Sequence, residues 1–180
     1  MHKALKPTVE RVDKMQIKKI LGIAIIAIGS ISHSKDWEFT KLKEKGIDNS
    51  FLCYEDRKFI TDKTSPQHHF LKNSKPMNYG IISKNGMYVV AVAQRYGKIG
   101  DEIEIVFNNN VKIKALIGDY KKTRETLGWG IHPIGKNRGC MLEFLVDETQ
   151  IPNIVKKTGD FSAYIDRYAG GIKAIKNRNM

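Results

Sequence analysis

Gly86–Lys122 reads GMYVVAVAQRYGKIGDEIEIVFNNNVKIKALIGDYKK, and after a glycine-rich loop Gly139–Glu148 reads GCMLEFLVDE. Met87–Ala93 is an unbroken apolar run rich in β-branched residues, the pattern of a strand buried on both faces. Gly97 and Gly100 bracket a turn. EIEIVF then alternates charged and apolar side chains with the period of two that a half-buried strand requires. Asn108, Asn109 and Asn110 mark a hairpin, because asparagine tolerates the left-handed backbone. VKIKALI alternates again and runs into Gly118 and Asp119, and CMLEFLV ends at Asp147. Two of the four runs thus deliver an acid at or just past their end.

On either side the pattern loosens. Asn49–Phe59 has room for a short strand around FLCY, while ITDKTSPQHHFLKNSKPMNYG, with two prolines, is expected as loop and irregular extended chain. Tyr120–Gly139 is expected as a long basic loop carrying Trp129 and His132. ETQIPNIVKKTGD predicts a short helix capped by Asp147 or Thr149, with Pro152 in its first turn, Lys156 and Lys157 at its negative end, and Gly159 as the stop. A last strand over Gly171–Lys176 would complete the sheet.

Upstream, Met1–Lys19 is polar and basic, and Ile20–Ile31 is uncharged and apolar. Roughly 20 such residues are needed to span a bilayer, so this run is short for a transmembrane helix. Lys18 and Lys19 before it and small residues after it match a secretory signal, cleaved or kept as a membrane tether; the alternative is a buried element of a cytoplasmic protein. The expected organisation is therefore a signal or anchor at 1–34, a lead-in at 35–59 and a β domain at 60–180.

Apolar and charged fractions of 41% and 28% place the chain among globular proteins and exclude wholesale disorder. A net charge of +12 implies an anionic neighbour: nucleic acid, an acidic membrane surface or an acidic wall polymer. The basic residues are spread through every segment, which favours general attraction to a polyanion over a nucleic-acid-reading helix. Cys53 and Cys140 form no CxxC pair, His68 and His69 diverge as neighbours, and no third ligand has suitable spacing, so no metal is expected. No nucleotide or dinucleotide fingerprint calls for a cofactor. On an exported chain the two cysteines pair, worth about 4–5 kcal/mol of loop-closure entropy; otherwise they are two separately buried thiols.

VVAVAQRYGKIGDEIEIVFNNNVKIKALIGDYK resembles the core of the double-psi β-barrel, and EFLVDETQIPNIV resembles that family's strand leading into a short helix. The barrel occurs in rare lipoprotein A, expansins, membrane-bound lytic transglycosylase A and the three-aspartate wall enzymes of Gram-positive bacteria. The longer pattern, over roughly Ile60–Ile175, is similar to clostridial wall- or phage-associated proteins. The resemblance implies a mainly β fold with short helices, a six-stranded double-psi barrel, located at the cell wall or in a phage particle, with peptidoglycan as partner. It also implies carboxylates at the barrel mouth that cleave glycan as a lytic transglycosylase does, where one carboxyl serves as acid and then base.

Carried over by position, Asp119 matches the first acid, Glu143 falls where the family has an aspartate, and Asp147 is the alternative acid on that segment. Lys121, Trp129 and His132 are the candidate substrate-binding residues. Each has an ordinary reading beside it. Asp119 is otherwise a turn residue, Glu143 a solvated strand residue, Asp147 a helix cap, His132 a surface residue and Trp129 a cover for the barrel mouth. The loop after Asp119 is basic where the family carries further acid and histidine, and the close DTG-type motif is absent. A non-catalytic wall-binding or phage structural role therefore stands beside the enzyme, with a nucleic-acid-binding barrel as a third reading.

Overall fold

The computed structural model describes Gly46 and residues 48–121, 131–134, 138–162, 164–168 and 170–178. The expected signal or anchor, including Ile20–Ile31, lies outside them, as does Trp129. Among the described residues no helix is long and apolar enough to cross a membrane. The architecture is mainly β with short helices.

The strands are β1 (Cys53–Asp56), β2 (Lys75–Pro76), β3 (Ile82–Lys84), β4 (Met87–Val92), β5 (Glu102–Phe107), β6 (Lys112–Tyr120), β7 (His132–Ile134), β8 (Arg138–Cys140), β9 (Glu143–Val146) and β10 (Ile172–Asn177). Helix α1 spans Pro66–Leu71 and α2 spans Asn153–Thr158. Eight strands form one mixed sheet in the order β1-β9-β4-β6-β5-β10, with β3 pairing β4 and β2 pairing β3; β7 and β8 form a separate two-stranded sheet. No strand pairing among the described residues closes the large sheet into a barrel. Its two ends nevertheless approach: Asn49, just before β1, donates from its side chain to the Ile172 carbonyl at 2.8 Å.

β4 sits in the middle of this order because its side chains are apolar on both faces. Val90 and Val92 join the main core with Ile103, Ile105, Phe107, Ile117, Phe144, Phe161 and Tyr168. Val89 and Ala91 point the other way, into a smaller cluster with Ile82 and Leu145, covered by Ile60, Phe70 and Leu71. An aromatic group fills the main core, with Phe107 stacked on Tyr168 at 5.1 Å and Phe144 edge-on to Phe161 at 5.5 Å. The Tyr168 hydroxyl is satisfied by Tyr88 and Arg167, at 2.8 and 2.7 Å.

The β5–β6 hairpin forms where the asparagines predicted it, with Asn110 at a φ of +65° and Phe107 N–H on the Val111 carbonyl at 2.9 Å. On its outer face Glu102 and Glu104 meet Lys114, Lys112 and Arg178, so the alternation is read out as a cross-strand charge ladder.

Three expectations need correction. The stretch expected as loop contains α1, whose Ser65 Oγ accepts the His68 N–H at 3.1 Å while Pro66 opens the helix. The basic loop contains β7 and β8, and CMLEFLV is two strands: Cys140 ends β8, and β9 starts at Glu143. Helix α2 has Pro152 as its N-cap residue with no side-chain cap bond, although it ends at Gly159 in the left-handed conformation as expected. Asp147 caps a turn instead.

Candidate functional site

β6 pairs parallel with β4, and the register slips at one point: Ile117 lies opposite Val90, but Asp119 lies opposite Ala91. Gly118 is the extra residue of this β-bulge. A Cβ on Gly118 would stand 2.2 Å from Val89 Cγ1 and 3.0 Å from Leu145 Cδ1, so only glycine permits the close approach. The slip brings Asp119 to the face that Ala91 occupies. On the opposite edge of β4, Ala91 is paired with Glu143. Asp119 and Glu143 therefore flank the same alanine, two strand spacings or roughly 10 Å apart at the backbone.

Lys121 spans the gap. It follows β6 and donates its backbone N–H to the Val92 carbonyl at 3.0 Å. Its Nζ lies 2.5 Å from Glu143 Oε1, and its side chain is only 2% exposed. Burial opposes its charge, but the neighbouring Cys140 and Glu143 outweigh that and raise its pKa. Asp119 Oδ1 accepts from Gln67 of α1 at 3.2 Å and from the Tyr120 N–H at 2.7 Å.

The cysteines belong to the same cluster. β1 runs parallel to β9 with Cys53 opposite Glu143. Cys140 Sγ accepts the Cys53 N–H at 3.2 Å and, as a thiol, donates to the Leu142 carbonyl at 2.8 Å. Both cysteines are free, yet they are not the separately buried thiols that were one expectation. The bond to Cys140 and burial push the Cys53 thiol up. Burial alone would raise Cys140 too, but the hydrogen bond from Cys53 and the Lys121 ammonium overcome it and hold its pKa below the usual thiol value.

The two sulfurs and a Glu143 oxygen lie within 4.8 Å of one another, which is ligand spacing. The donor set does not suit a metal ion, because a buried ammonium already occupies the Glu143 carboxylate and a dication would have to displace it.

Asp147 is elsewhere. It follows β9, four residues and roughly 13 Å along the strand from Glu143. Its carboxylate accepts from the Thr149 hydroxyl at 2.6 Å and from Gln150 at 3.0 Å, and lies 3.7 Å from Arg57. The Thr149 hydroxyl bond is the main reason its pKa is depressed. Asp147 lines a cleft of about 510 Å³ together with Arg57, Lys58, His68 and Lys72. The structure thus unites Asp119, Lys121 and Glu143 and leaves Asp147 at the opposite end of β9. His132 contributes backbone to β7.

Gln67 was not expected from the sequence, whereas the meeting of Cys53 with Cys140 was one of the two expectations for the cysteines. Gln67 had a weak signal in the Ser65-Pro66 helix start; the meeting of the cysteines with Lys121 and Glu143 had none. No protein-family model, curated protein or solved structure matches this chain.

Proposed function

We propose that this protein is directed at peptidoglycan, that its curled sheet is a double-psi β-barrel, and that Asp119 is the acid–base group of a glycan-cleaving centre with Glu143 opposite it. The observation that carries the reading is the bulge at Gly118, which sets Asp119 and Glu143 on either side of Ala91 on one face. Parallel pairing of β4 with β6 and of β1 with β9, and the approach of the sheet ends through Asn49, support the barrel. Asp119 would protonate the leaving glycosidic oxygen and then take a proton from the sugar's own hydroxyl. The Glu143 carboxylate would stabilise positive charge developing on the sugar ring, with Lys121 compensating it in the resting site. The net charge of +12 and the basic cleft beside Asp147 suit an anionic wall polymer. Ile20–Ile31 would serve as export signal or tether.

A second reading is a non-catalytic wall-binding or phage particle protein. One observation favours it: Glu143 is already paired with the Lys121 ammonium and Asp119 already accepts two N–H hydrogen bonds, so each carboxylate would have to give up a partner to engage a sugar.

Digestion of Gram-positive sacculi separates the two. The enzyme releases anhydro-muropeptides, and Asp119→Asn abolishes the release. Salt-sensitive pelleting with sacculi and no soluble sugar product would establish the binding role instead.

A further inference from the structure

We propose that Cys53 and Cys140 form a reversible disulfide, made by exchange with a low-molecular-weight disulfide, next to the Lys121–Glu143 pair. The residues are 87 positions apart in sequence, yet the Cys140 sulfur lies 3.2 Å from the Cys53 backbone nitrogen. Their sulfurs are within 4.8 Å of each other. The two cysteines come from elements that are otherwise well anchored, β1 through its ladder with β9 and β8 through its pairing with β7. Closing the bond therefore requires side-chain rotation and no refolding.

The two thiols are not equivalent. Cys53 is half-buried and Cys140 fully buried, so a disulfide oxidant enters at Cys53. The neighbouring ammonium of Lys121 favours a single negative charge on the pair. With that charge on the Cys140 sulfur, which accepts the Cys53 proton as the more accessible Cys53 sulfur attacks the oxidant RSSR, the mixed disulfide forms and RS⁻ is expelled. Cys140 then attacks the Cys53 sulfur, its proton passing to the second departing RS group. The balance is one thiol, one thiolate and RSSR giving the protein disulfide, RSH and RS⁻. The protein is oxidised by two electrons and the small disulfide is reduced by the same two.

Oxidation changes the charges of the site while the backbone stays in place. It removes the only two thiols in the sequence from beside Lys121 and leaves its ammonium to Glu143.

The test uses the full chain, reduced and then equilibrated with glutathione disulfide. Intact mass should show loss of two hydrogens with no retained glutathione, and no chain-to-chain linkage should form. Peptide mapping should join the Cys53 and Cys140 peptides, and reduction should lower the melting temperature by on the order of 10 °C. Cys140→Ser should trap glutathione on Cys53. A stable glutathione adduct on the parent, chain-to-chain linkage, or a melting temperature indifferent to reductant would each overturn the proposal. The mapping uses the parent protein alone, so it decides for or against the disulfide even where Cys140→Ser misfolds.

Discussion

Lys121→Met is the substitution on which the site geometry makes its sharpest demand. Methionine keeps the length and most of the volume of the stem but removes the ammonium. Lys121 is 2% exposed in its side chain and Glu143 16%, so the orphaned carboxylate is left largely out of water. Breaking a buried pair from one side costs about 3–5 kcal/mol. Because Glu143 retains some access to solvent, the expected loss lies near the bottom of that range, about 3 kcal/mol, or roughly 6–12 °C in melting temperature for a chain this long. Adding Glu143→Gln removes the orphan, and the double variant should recover to within about 1 kcal/mol of the parent, since neutral replacement of a buried pair costs little. Urea unfolding of the parent, both single variants and the double variant measures this coupling directly. The sign with pH is fixed by the raised pKa of Lys121. Its contribution is complete below the ordinary lysine range and is lost as pH climbs through the higher folded value. Thiolate absorbance supplies a second readout, because losing the ammonium should move Cys140 ionisation to higher pH. A Lys121→Met protein within about 1 kcal/mol of the parent, or a double variant as unstable as the sum of the singles, would refute the reasoning.

Gly118→Ala places a methyl group 2.2 Å from Val89 Cγ1, and the resulting overpacking should cost about 1–3 kcal/mol and shift Asp119 off the row of Ala91. Melting temperature and sacculus digestion should fall together; an unchanged protein would show that the bulge does not set the site. Asp147→Asn should leave glycan release untouched while costing about 1 kcal/mol near neutral pH through the weakened Thr149 and Gln150 turn. The depressed pKa of Asp147 means that its stabilisation is present above the ordinary aspartate range and disappears as pH falls through the lower folded value. Parent and variant should therefore converge in acid, and loss of product with this variant would move the proposed catalytic centre to the other end of β9.

Much of the sheet was legible because its signals are local. The β-branched run of β4 demanded burial on both faces, the alternation in β5 and β6 demanded one, and the asparagines demanded a turn; each element is found. Helix α1 escaped because six residues with two histidines carry no apolar periodicity, and only the Ser65-Pro66 start betrays it. CMLEFLV reads as one strand because apolar content cannot show where a ladder changes partner. The site was half legible for the same reason. Strand-end acids and the lysine beyond Asp119 could be picked out by position, but which acids meet depends on register. A four-residue step along β9 separates Asp147 from Glu143, while a one-residue slip at Gly118 brings Asp119 level with it. Cys53 joins the cluster only through the parallel β1–β9 pairing, which no local pattern encodes.

Charge count and charge placement point to different parts of this molecule, and the placement is what locates function. Lys112, Lys114 and Arg178 are solvated and answer the outward acids Glu102 and Glu104 of β5, so they account for little of the net charge of +12. Exposed pairs of this kind contribute little individually and select no bond in any partner. Lys121 differs because its ammonium is withdrawn from water, a cost that only nearby anions offset. Those anions are Glu143 and the ionised form of the cysteine pair, so the charge at the site depends on whether the sulfurs are bonded. Loop closure by the disulfide would contribute about 4.6 kcal/mol to the fold in the chain-entropy model. That gain is comparable to the loss expected from breaking the Lys121–Glu143 pair, so oxidation can lock the site even while it strips Lys121 of one counter-charge. In the oxidised form the Glu143 carboxylate is bound more exclusively to the ammonium, and a sugar ring developing positive charge would have to compete with Lys121 for it. The reduced form, with Cys140 to share Lys121, leaves Glu143 freer, so if the proposed glycan cleavage holds, sacculus digestion should run faster with reductant than after oxidation by glutathione disulfide.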